Sequence, residues 1–395
     1  MTDWQKMESQ YFMRTFERVP LVLVRGQGTR VWDEAGRQYL DMVSGWAVNS
    51  LGHCHPVVVE AVKEQVGTLI QTSNQFYTIP QLCLAELLVK SSGLNRVFLC
   101  NSGAEANEGA VKLARRYGER NLGGAYKIIT TLGSFHGRTL AMVAATGQAK
   151  HQQPYEPLPG GFVNVAYDNI DAIKATTTDE ICAVMVEPLQ GEGGVNIPDE
   201  GYLKAVRAWC DEKGILMILD EVQTGIGRLG SLFAFQQSGI VPDVMTLAKG
   251  LASGIPVGAI LATEKAAVFQ PGEHGSTFGG NPVTCAAAHA TLKHIIDNNL
   301  ADYAGIVGRY FFDGLERLKS KYPFVRQIRG RGLLLAMEFD REIAQAVLLA
   351  CLEKGLLVNR VKPGVLRFMP PLTISKSEVD EALGILDKVL AGVDR

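Results

Sequence analysis

The chain of 395 residues lacks both a strong charge imbalance and a long apolar run. Its formal net charge is −2, so its bulk electrostatics favour neither a nucleic acid nor an anionic membrane surface as a partner. No apolar run approaches the roughly 18 residues that a membrane span requires. Residues 1–12, MTDWQKMESQYF, mix charges with aromatics and contain no apolar core of a signal peptide. These absences argue against a nucleic-acid-binding or membrane protein.

The chain also lacks any CxxC pair. Its 7 cysteines are scattered, and an odd, unpatterned set favours reduced thiols and a cytoplasmic location. His53, Cys54 and His55 form a short cluster of potential metal ligands. No partner pair lies near this cluster in the sequence and Pro56 follows it directly, so we predict no metal site.

The common nucleotide fingerprints are missing as well. No GxxxxGK[ST] occurs, and no GxGxxG lies between a predicted strand and a helix, so neither a nucleoside triphosphate nor a dinucleotide is expected. There is no internal repeat, no low-complexity segment and no linker rich in proline and serine. Domain boundaries must therefore be predicted from changes of pattern.

The sequence does contain short apolar runs that alternate with helical patterns. Strands are predicted at 97–100, 127–131, 182–186, 215–219, 244–247 and 258–262. Helices are predicted between them, for example at 105–117 and 202–213. Continuous apolar strands separated by helices indicate an α/β domain built on a largely parallel sheet that is covered on both faces.

The pattern changes after about residue 295. Long helical patterns then flank strands such as the one predicted at 333–339, and Ser375 with Glu378 forms a capping-box signature before the last helix. The length of the chain also predicts more than one domain. We assign 1–50 to an N-terminal segment that packs with the small domain, 51–295 to a large domain, and 296–395 to a small α+β domain.

The residues that suggest chemistry lie in the stretch 215–250, ILMILDEVQTGIGRLGSLFAFQQSGIVPDVMTLAKG. Asp220 directly follows one predicted buried strand, and Lys249 follows the next. Because the carboxyl ends of parallel strands meet at one edge of a sheet, we expect the acid and the amine to share a site there. The pair alone is compatible with a metal, a nucleotide or an imine-forming cofactor.

Two loops after predicted strands carry further candidates. Ser102, Gly103 and Ala104 lie between a strand and a helix, where small residues let backbone N–H groups approach a phosphate. A plain tight turn explains this tripeptide equally well. Phe135 is either a core aromatic or a platform for a flat heterocycle. Arg138, in the same loop, is either solvated or a bidentate clamp for a carboxylate.

Together these parts suit one cofactor. A buried carboxylate such as Asp220 needs a cationic partner, and a protonated pyridine nitrogen would provide one. An amine held among small residues, as Lys249 is, can lose its proton and form an imine with an aldehyde. Pyridoxal phosphate (PLP) requires a phosphate-binding loop, an aromatic platform, an acid and such a lysine.

Longer motifs cover nearly the whole chain. They are AVNSLGHCHP (47–56), NSGAEANEGAVKLAR (101–115), SFHGRT (134–139), EPLQGEGG (187–194), LDEVQTGIGRLG (219–230), LAKGLASGIPVGA (247–259), GSTFGGNP (275–282) and LRFMPPL (366–372). These motifs resemble the class III (subgroup II) PLP-dependent aminotransferases of fold type I, and among them most closely the acetylornithine aminotransferases. The resemblance implies an α/β fold of the aspartate-aminotransferase type, with a mostly parallel central sheet in the large domain and a smaller α+β domain.

The resemblance also implies roles for the residues around the cofactor ring. Lys249 would form the Schiff base with PLP and shuttle a proton. Asp220 would keep the ring nitrogen protonated, so that the ring withdraws electrons. Gln223 would contact the ring hydroxyl, and Phe135 would stack on the ring.

The cofactor phosphate would be held from two sides. The loop of Ser102, Gly103 and Ala104 would bind it, the last two through backbone N–H groups. Thr277 would reach the phosphate of the cofactor in the neighbouring subunit. The resemblance therefore implies a homodimer with shared active sites.

A site of this family must accept a donor whose amine is at the far end of its chain, and also glutamate. By resemblance, Arg138 would bind the carboxylate farther from the cofactor, and Arg367 the α-carboxylate of glutamate. Glu192 would neutralise Arg367 while the donor is bound and swing away for glutamate, because an unpaired guanidinium would otherwise face an aliphatic chain. The residues alone also permit a structural role for Arg367 and a flexible surface position for Glu192.

The choice of donor depends on another segment. Gly45 stands where ornithine aminotransferases typically carry a tyrosine, and it would leave room for an acyl group. Trp46 departs from the smaller aliphatic residue expected beside it and would narrow or reshape the pocket. We predict transfer from N2-acetyl-L-ornithine to 2-oxoglutarate, giving N-acetylglutamate 5-semialdehyde and L-glutamate in arginine biosynthesis.

Other functions fit the same motifs. Within the fold they are ornithine, succinyl-diaminopimelate or 4-aminobutyrate aminotransferases and the related aminomutases and epimerases. An aminomutase would not need a cosubstrate arginine gated by Glu192. A PLP-binding scaffold without activity is the alternative from another class, but it would need neither Lys249 nor Asp220.

Overall fold

The computed structural model describes residues 3–393. The helices are α1 (Trp4–Tyr11), α2 (Ser44–Ala47), α3 (Pro56–Thr68), α4 (Ile79–Ser92), α5 (Gly103–Asn121), α6 (Leu140–Ala145), α7 (Ala149–Gln152), α8 (Ile170–Thr176), α9 (Tyr202–Lys213), α10 (Pro282–Asp297), α11 (Leu300–Lys321), α12 (Ala344–Glu353) and α13 (Lys376–Leu390). Short 3₁₀ helices are Gln153–Tyr155, Ala234–Ser238 and Lys249–Ala252.

The strands form three sheets. They are β1 (Leu23–Gln27), β2 (Arg30–Asp33), β3 (Gln38–Asp41), β4 (Arg96–Cys100), β5 (Lys127–Thr131), β6 (Phe162–Val165), β7 (Ile181–Val186), β8 (Leu216–Asp220), β9 (Val244–Leu247), β10 (Gly258–Ala262), β11 (Val325–Arg331), β12 (Leu334–Phe339), β13 (Leu356–Leu357), β14 (Asn359–Lys362) and β15 (Val365–Phe368). The central sheet has seven strands in the order β4-β10-β9-β8-β7-β5-β6.

The central sheet confirms the predicted α/β class with a mostly parallel sheet. Strands β5 to β9 pair in parallel, which requires the helical crossovers that the alternating pattern predicted. Strand β10 differs, because it runs antiparallel to both β4 and β9. Strand β6 was not predicted. It has only four residues and only Val165 is buried, so no continuous apolar run marks it.

Burial explains why these strands lack a polar face. Every residue of β7, β8, β9 and β10 is buried, so each strand is a continuous apolar run apart from Asp220 and Thr246. Helices α5 and α9 pack against this part of the sheet. The neighbouring strands β8 and β9 pair Asp220 with Thr246, which brings the two strand ends of the 215–250 stretch together.

Two smaller sheets flank the central one. Strands β11, β12, β15 and β14 form an antiparallel sheet near the C-terminus. The other sheet has the order β1-β2-β3-β13, and β13 joins it from the C-terminal part of the chain, with Leu356 opposite Leu40. This pairing is consistent with an N-terminal segment that packs on the small domain, and the three-part division stays a prediction.

The last helix forms as its sequence indicates. The Ser375 side chain accepts a hydrogen bond from the backbone N–H of Glu378, and the Glu378 carboxylate accepts from the backbone N–H of Ser375. The apolar stripe of α13 is buried, namely Val379, Ala382, Leu383, Leu386, Val389 and Leu390. Within residues 3–393, no helix combines the length and the hydropathy needed to cross a lipid bilayer.

Candidate active site

A cavity of about 400 Å³ opens at the carboxyl edge of the central sheet. Such a volume is within the range of small-molecule sites. The cavity is lined by nine residues that the sequence singled out: Ser102, Gly103, Ala104, Phe135, Arg138, Glu192, Asp220, Gln223 and Lys249. Residues more than 100 positions apart therefore meet at one place.

Asp220 lies buried at the end of β8, and only 3% of its surface is exposed. One oxygen, Oδ2, accepts hydrogen bonds from Asn107 Nδ2 and His136 Nδ1, each at 2.8 Å. The other, Oδ1, accepts from the backbone N–H of Val222 at 3.0 Å. These donors fix the carboxylate, and a fixed anion at the cavity wall can hold a proton on a bound ring nitrogen.

Lys249 reaches the cavity from the loop that follows β9. Burial lowers the pKa of its amine, while the nearby Glu192 carboxylate opposes that shift. A lowered pKa raises the fraction of neutral, nucleophilic amine at a given pH. The backbone φ of Lys249 is +31°, a region that a residue with a side chain rarely adopts. Such strain costs on the order of 1–3 kcal/mol and is typical of functional positions.

The phosphate-binding candidates lie at the start of α5, a helix of 19 residues. Ser102 is its N-cap, and its hydroxyl accepts a hydrogen bond from the backbone N–H of Glu105 at 3.2 Å. A Cβ at Gly103 would lie 2.8 Å from Val222 Cγ1, so only glycine lets the start of α5 lie this close to Val222. Backbone N–H groups at a helix N-terminus attract anions.

Phe135 and Arg138 share one side of the cavity. The Arg138 guanidinium carbon lies 5.3 Å from the centre of the Phe135 ring. Arg138 Nη1 donates to His151 Nδ1 at 3.2 Å, and burial together with the charge of Arg138 lowers the pKa of His151. Arg138 is exposed and makes no ion pair with an acid within the described chain, so its charge is available to a carboxylate.

Glu192 and Arg367 form an ion pair beside the cavity, with Oε1 2.7 Å from Nη1. Burial opposes the charge on Glu192, but Arg367 and Lys249 lower its pKa to about 2. Gln223 joins the pair: its Nε2 donates to Glu192 Oε1 at 3.2 Å and its Oε1 accepts from Arg367 Nη1 at 3.0 Å. Asn359 Oδ1 accepts from Arg367 Nε and Nη2. The buried Arg367 is thus fully compensated.

Gly45 and Trp46 lie in α2, which is a left-handed turn. The φ values of its four residues lie between 52° and 64°. The Asp41 carboxylate accepts hydrogen bonds from the backbone N–H groups of Val43 and Ser44 and so supports the entry to this turn. Neither Gly45 nor Trp46 lines the cavity of the described chain, whereas Val48 does. The proposed acyl pocket at Gly45 stays a prediction.

Thr277 also lies away from the cavity of its own chain. It is exposed, and its carbonyl accepts a hydrogen bond from Gln71 Nε2. Asn74 Nδ2 donates to the carbonyls of Ser276 and Gly279, at 2.9 and 3.0 Å. The segment 71–81 is thereby attached to 276–280. The predicted contact of Thr277 with a neighbouring subunit is compatible with this exposed position.

Some residues at the site were missed by sequence reasoning. Asn107 and His136 hold Asp220, and Glu187 accepts the backbone N–H groups of Phe135 and Gly191. Burial raises the pKa of Glu187. The only signals in the sequence were a buried-face asparagine in α5 and a histidine next to Phe135. Neither reveals a partner 113 or 84 positions away.

The residues of the His53-Cys54-His55 cluster take separate surroundings. His53 Nε2 is 2.7 Å from Asp41 Oδ2, Cys54 is exposed, and the His55 ring lies 4.7 Å from the ring of His294. Among the described residues, no group of three or more histidine, cysteine or acidic side chains is arranged to hold a metal ion.

Comparisons with known proteins agree with this geometry. The model of the family "Aminotransferase class-III" matches residues 11–390. The chain belongs to the class III aminotransferases. It is 52% identical over 387 residues to an acetylornithine aminotransferase of Caldanaerobacter subterraneus, with 98% of both chains covered. It is 47% identical over 395 residues to one of Methanocaldococcus jannaschii, covering 100% of this chain and 99% of the relative.

Solved structures of other aminotransferases share the fold. An ornithine aminotransferase from Toxoplasma gondii superposes with a TM-score of 0.95 at 36% identity, covering 99% of this chain and 95% of the other. An N-acetylornithine aminotransferase from Stenotrophomonas maltophilia gives 0.85 at 39% identity, with 98% of both covered. The protein is therefore an enzyme of the transaminase type, and its family uses PLP with an amino donor and a 2-oxo acid.

Proposed function

We propose that this enzyme transfers the terminal amino group of N2-acetyl-L-ornithine to 2-oxoglutarate, giving N-acetylglutamate 5-semialdehyde and L-glutamate in arginine biosynthesis. Curated relatives with this activity in their names are 45–52% identical over nearly the full length. The observation that carries the proposal is the ion pair of Glu192 with Arg367 beside the amine of Lys249.

The ion pair answers the need to bind two unlike substrates at one site. While Glu192 covers Arg367, the pair is neutral and can face the aliphatic chain of an ω-amino donor. If Glu192 moves aside, the Arg367 guanidinium can bind the α-carboxylate of glutamate in a bidentate manner. Arg138, exposed at the other side of the cavity, would bind the carboxylate that both substrates carry farther from the reacting amine.

The cavity fits PLP on three counts. The N-terminus of α5 offers backbone N–H groups to a phosphate. Asp220 presents a fixed carboxylate to a ring nitrogen. Lys249 presents an amine whose pKa is lowered by burial. Phe135 would stack on the ring, and Gln223 would contact the ring hydroxyl while it also holds Glu192.

When bound, PLP supplies an aldehyde that accepts the amino group and a ring that withdraws electrons from the carbon losing its proton. Asp220 keeps the proton on the ring nitrogen, because a buried carboxylate stabilises that cation. Lys249 would take a proton at Nζ from the amino-bearing carbon of the donor and would return it to the former aldehyde carbon of PLP, which is bonded to the same nitrogen. Arg138 would orient the donor, and Arg138 together with Arg367 would orient glutamate, so that the proton faces Lys249.

We propose further that the enzyme is a cytoplasmic homodimer with shared sites. Large apolar side chains are exposed beside Thr277, including Phe76 at 65%, Tyr77 at 93% and Phe278 at 64%. A second copy would cover this surface and place its Thr277 at the phosphate site of the first. We also propose the division into 1–50, 51–295 and 296–395. The pairing of Leu40 with Leu356 supports it, because this pair joins the N-terminal segment to the C-terminal part of the chain.

Half-reactions test the proposed function. The holoenzyme is mixed with one amine at a time, and the loss of its yellow absorption band is followed in the absence of any 2-oxo acid. We expect N-acetylornithine to react faster than ornithine, succinyl-diaminopimelate or 4-aminobutyrate. Full turnover should require 2-oxoglutarate in a ping-pong order. A different preferred donor would overturn the substrate assignment, and turnover without a 2-oxo acid would indicate an aminomutase.

The Lys249→Ala variant tests the mechanism. We expect a loss of activity of at least about 10³-fold, because both the imine-forming amine and the proton carrier are removed. Lys112→Ala, which changes an exposed hydrogen-bonding lysine on α5, serves as a control and should stay active. Full activity of Lys249→Ala would contradict the proposed role.

A further inference from the structure

The loop that carries Glu192 has an unusual backbone. Gly194 has φ +113° and Val195 has φ +58°. The left-handed region is especially unfavourable for a β-branched residue, so Val195 adopts it only if its surroundings hold it there. Its side chain is fully buried, in a cluster that includes Leu334, Ala336 and Val365 of the small C-terminal sheet. The loop is therefore attached to that sheet.

Arg329 provides a second attachment. It extends from β11, and its Nε donates a hydrogen bond to the carbonyl of Gly194 at 2.9 Å. Its Nη1 donates to Gln327 Oε1 at 3.0 Å and forms an ion pair with Glu338 on β12. The side chain is only 12% exposed, so this guanidinium is held in place on the sheet.

Further contacts confine the backbone on either side of Glu192. The backbone N–H of Gly191 donates to the buried Glu187 carboxylate at 3.1 Å. A Cβ at Gly191 would lie 1.7 Å from Gln223 Oε1, so the loop passes tightly over the side chain that holds both Glu192 and Arg367. With Gly191 fixed on one side and Gly194 on the other, the direction of the Glu192 side chain follows the position of the loop.

We propose that Arg329 is a positioning residue that keeps Glu192 over Arg367 and thereby sets the balance between the two substrates. The inference rests on the proposed function. Hydrogen bonding from Arg329 to Gly194 favours the loop position in which Glu192 covers Arg367. That position suits the amine donor, and a dicarboxylate must displace Glu192 to reach Arg367. A bond that favours one of two states shifts binding of the two ligands in opposite directions.

Replacing Arg329 tests this inference. In Arg329→Gln the charge-assisted bond to Gly194 is lost, and we expect KM for N-acetylornithine to rise about 5- to 10-fold. The KM for 2-oxoglutarate should not rise, and glutarate, an unreactive dicarboxylate, should bind the holoenzyme several-fold more tightly by calorimetry. Arg329→Lys keeps the charge, so its KM for N-acetylornithine and its glutarate affinity should lie between those of Arg329→Gln and the wild type.

Arg326→Gln is the matched control. Arg326 lies on the same strand and is 3.8 Å from the same Glu338, but its side chain is 72% exposed and it makes no bond to the loop in the described structure. We expect the KM values and the glutarate affinity of Arg326→Gln to equal those of the wild type. If Arg326→Gln reproduced the effect of Arg329→Gln, the cause would be the charge of the strand and the inference would be wrong.

Other outcomes decide the inference as clearly. An equal rise of both KM values, a fall in kcat alone, or unchanged glutarate affinity in Arg329→Gln would overturn it. If Arg329→Gln does not fold, Gly194→Ala tests the same loop, because a side chain at φ +113° would be strained and would lie 3.2 Å from Lys362 Cε. If the wild-type enzyme does not use N-acetylornithine, the proposed function fails, and the glutarate measurement alone then decides the role of Arg329.

Discussion

At the scale of single residues, Asp220 and Lys249 show how a buried acid and a buried amine take different tasks. The carboxylate is fixed by three donors, two of which are the side chains of Asn107 and His136. The amine has its pKa lowered by burial and sits on a strained backbone. His136 Nε2 is buried and has no hydrogen-bond partner among the described residues. Holding Asp220 through Nδ1 therefore leaves the other ring nitrogen of His136 unpaired.

The Asp220→Asn variant tests the task of the acid. An amide cannot keep a proton on a ring nitrogen, so we expect kcat to fall by about 10²–10³-fold or more. The fold should persist, because the amide keeps one oxygen acceptor for Asn107 or His136. Thermal unfolding and the kinetics of one half-reaction measure the two effects. The control is Asp211→Asn on α9, whose side chain is 63% exposed. Unchanged kcat in Asp220→Asn would refute the assignment.

At the scale of elements, the site depends on which ends of strands and helices meet. Sequence patterns located β7, β8 and β9 well, because each is a buried and largely apolar run with a charged residue at its end or within two residues after it. They did not show that β10 runs antiparallel between β4 and β9, since burial on both faces looks the same in either direction. Nor did they indicate that α2 is left-handed, a conformation that Asp41 and the chain around it impose.

The contact of α3 with α10 leads to a pH prediction. His55, before α3, faces His294 of α10, and burial together with His294 lowers the pKa of His55. The unfolded chain then binds a proton more readily than the folded one. The contribution of neutral His55 to the free energy of unfolding is present above about pH 6.5. It is lost as the pH falls toward the lower pKa that His55 has in the folded state. We expect the midpoint temperature of unfolding to decrease as the pH is lowered from 7.5 to 5.5.

The His294→Gln variant isolates the part of this contribution that His294 causes, while the burial of His55 remains. Without the neighbouring imidazole, the fall of the midpoint should be smaller by about 2 °C. Lys63→Gln on α3, which removes an exposed cation that pairs with Glu60, should leave the fall unchanged. Differential scanning calorimetry at both pH values measures the effect. A fall of equal size in His294→Gln and the wild type would exclude this pair as its source.

At the scale of the whole molecule, the exposed apolar surface around 69–82 and 276–278 predicts association. Ile79 is 78% exposed and Leu82 is 53% exposed, next to Tyr77 and Phe278. Contiguous apolar surface of this kind is typical of subunit interfaces. It adjoins the segment that holds Thr277, so the same contact that hides the surface would complete the phosphate site.

A double variant, Tyr77→Asp with Ile79→Glu, tests the dimer. We expect sedimentation to give near twice the mass of one chain for the wild type and a single chain mass for the variant. Activity should fall with dissociation, because Thr277 of the second copy is lost from the site. Ile306→Glu changes another exposed apolar residue, at 61% exposure on α11, and should remain dimeric and active. An active monomer would contradict the shared site.

The sequence by itself determined the fold class, the family and the residues at the strand ends. These features are local: apolar runs mark buried strands, and a polar residue that ends such a run marks the edge of the sheet. Only the tertiary structure decided which loops meet. Glu192, Gln223 and Arg367 are linked across as many as 175 positions, and Arg329 reaches Gly194 across 135. Such partners depend on strand order and on the packing of the small sheet against the large one, which no local pattern encodes.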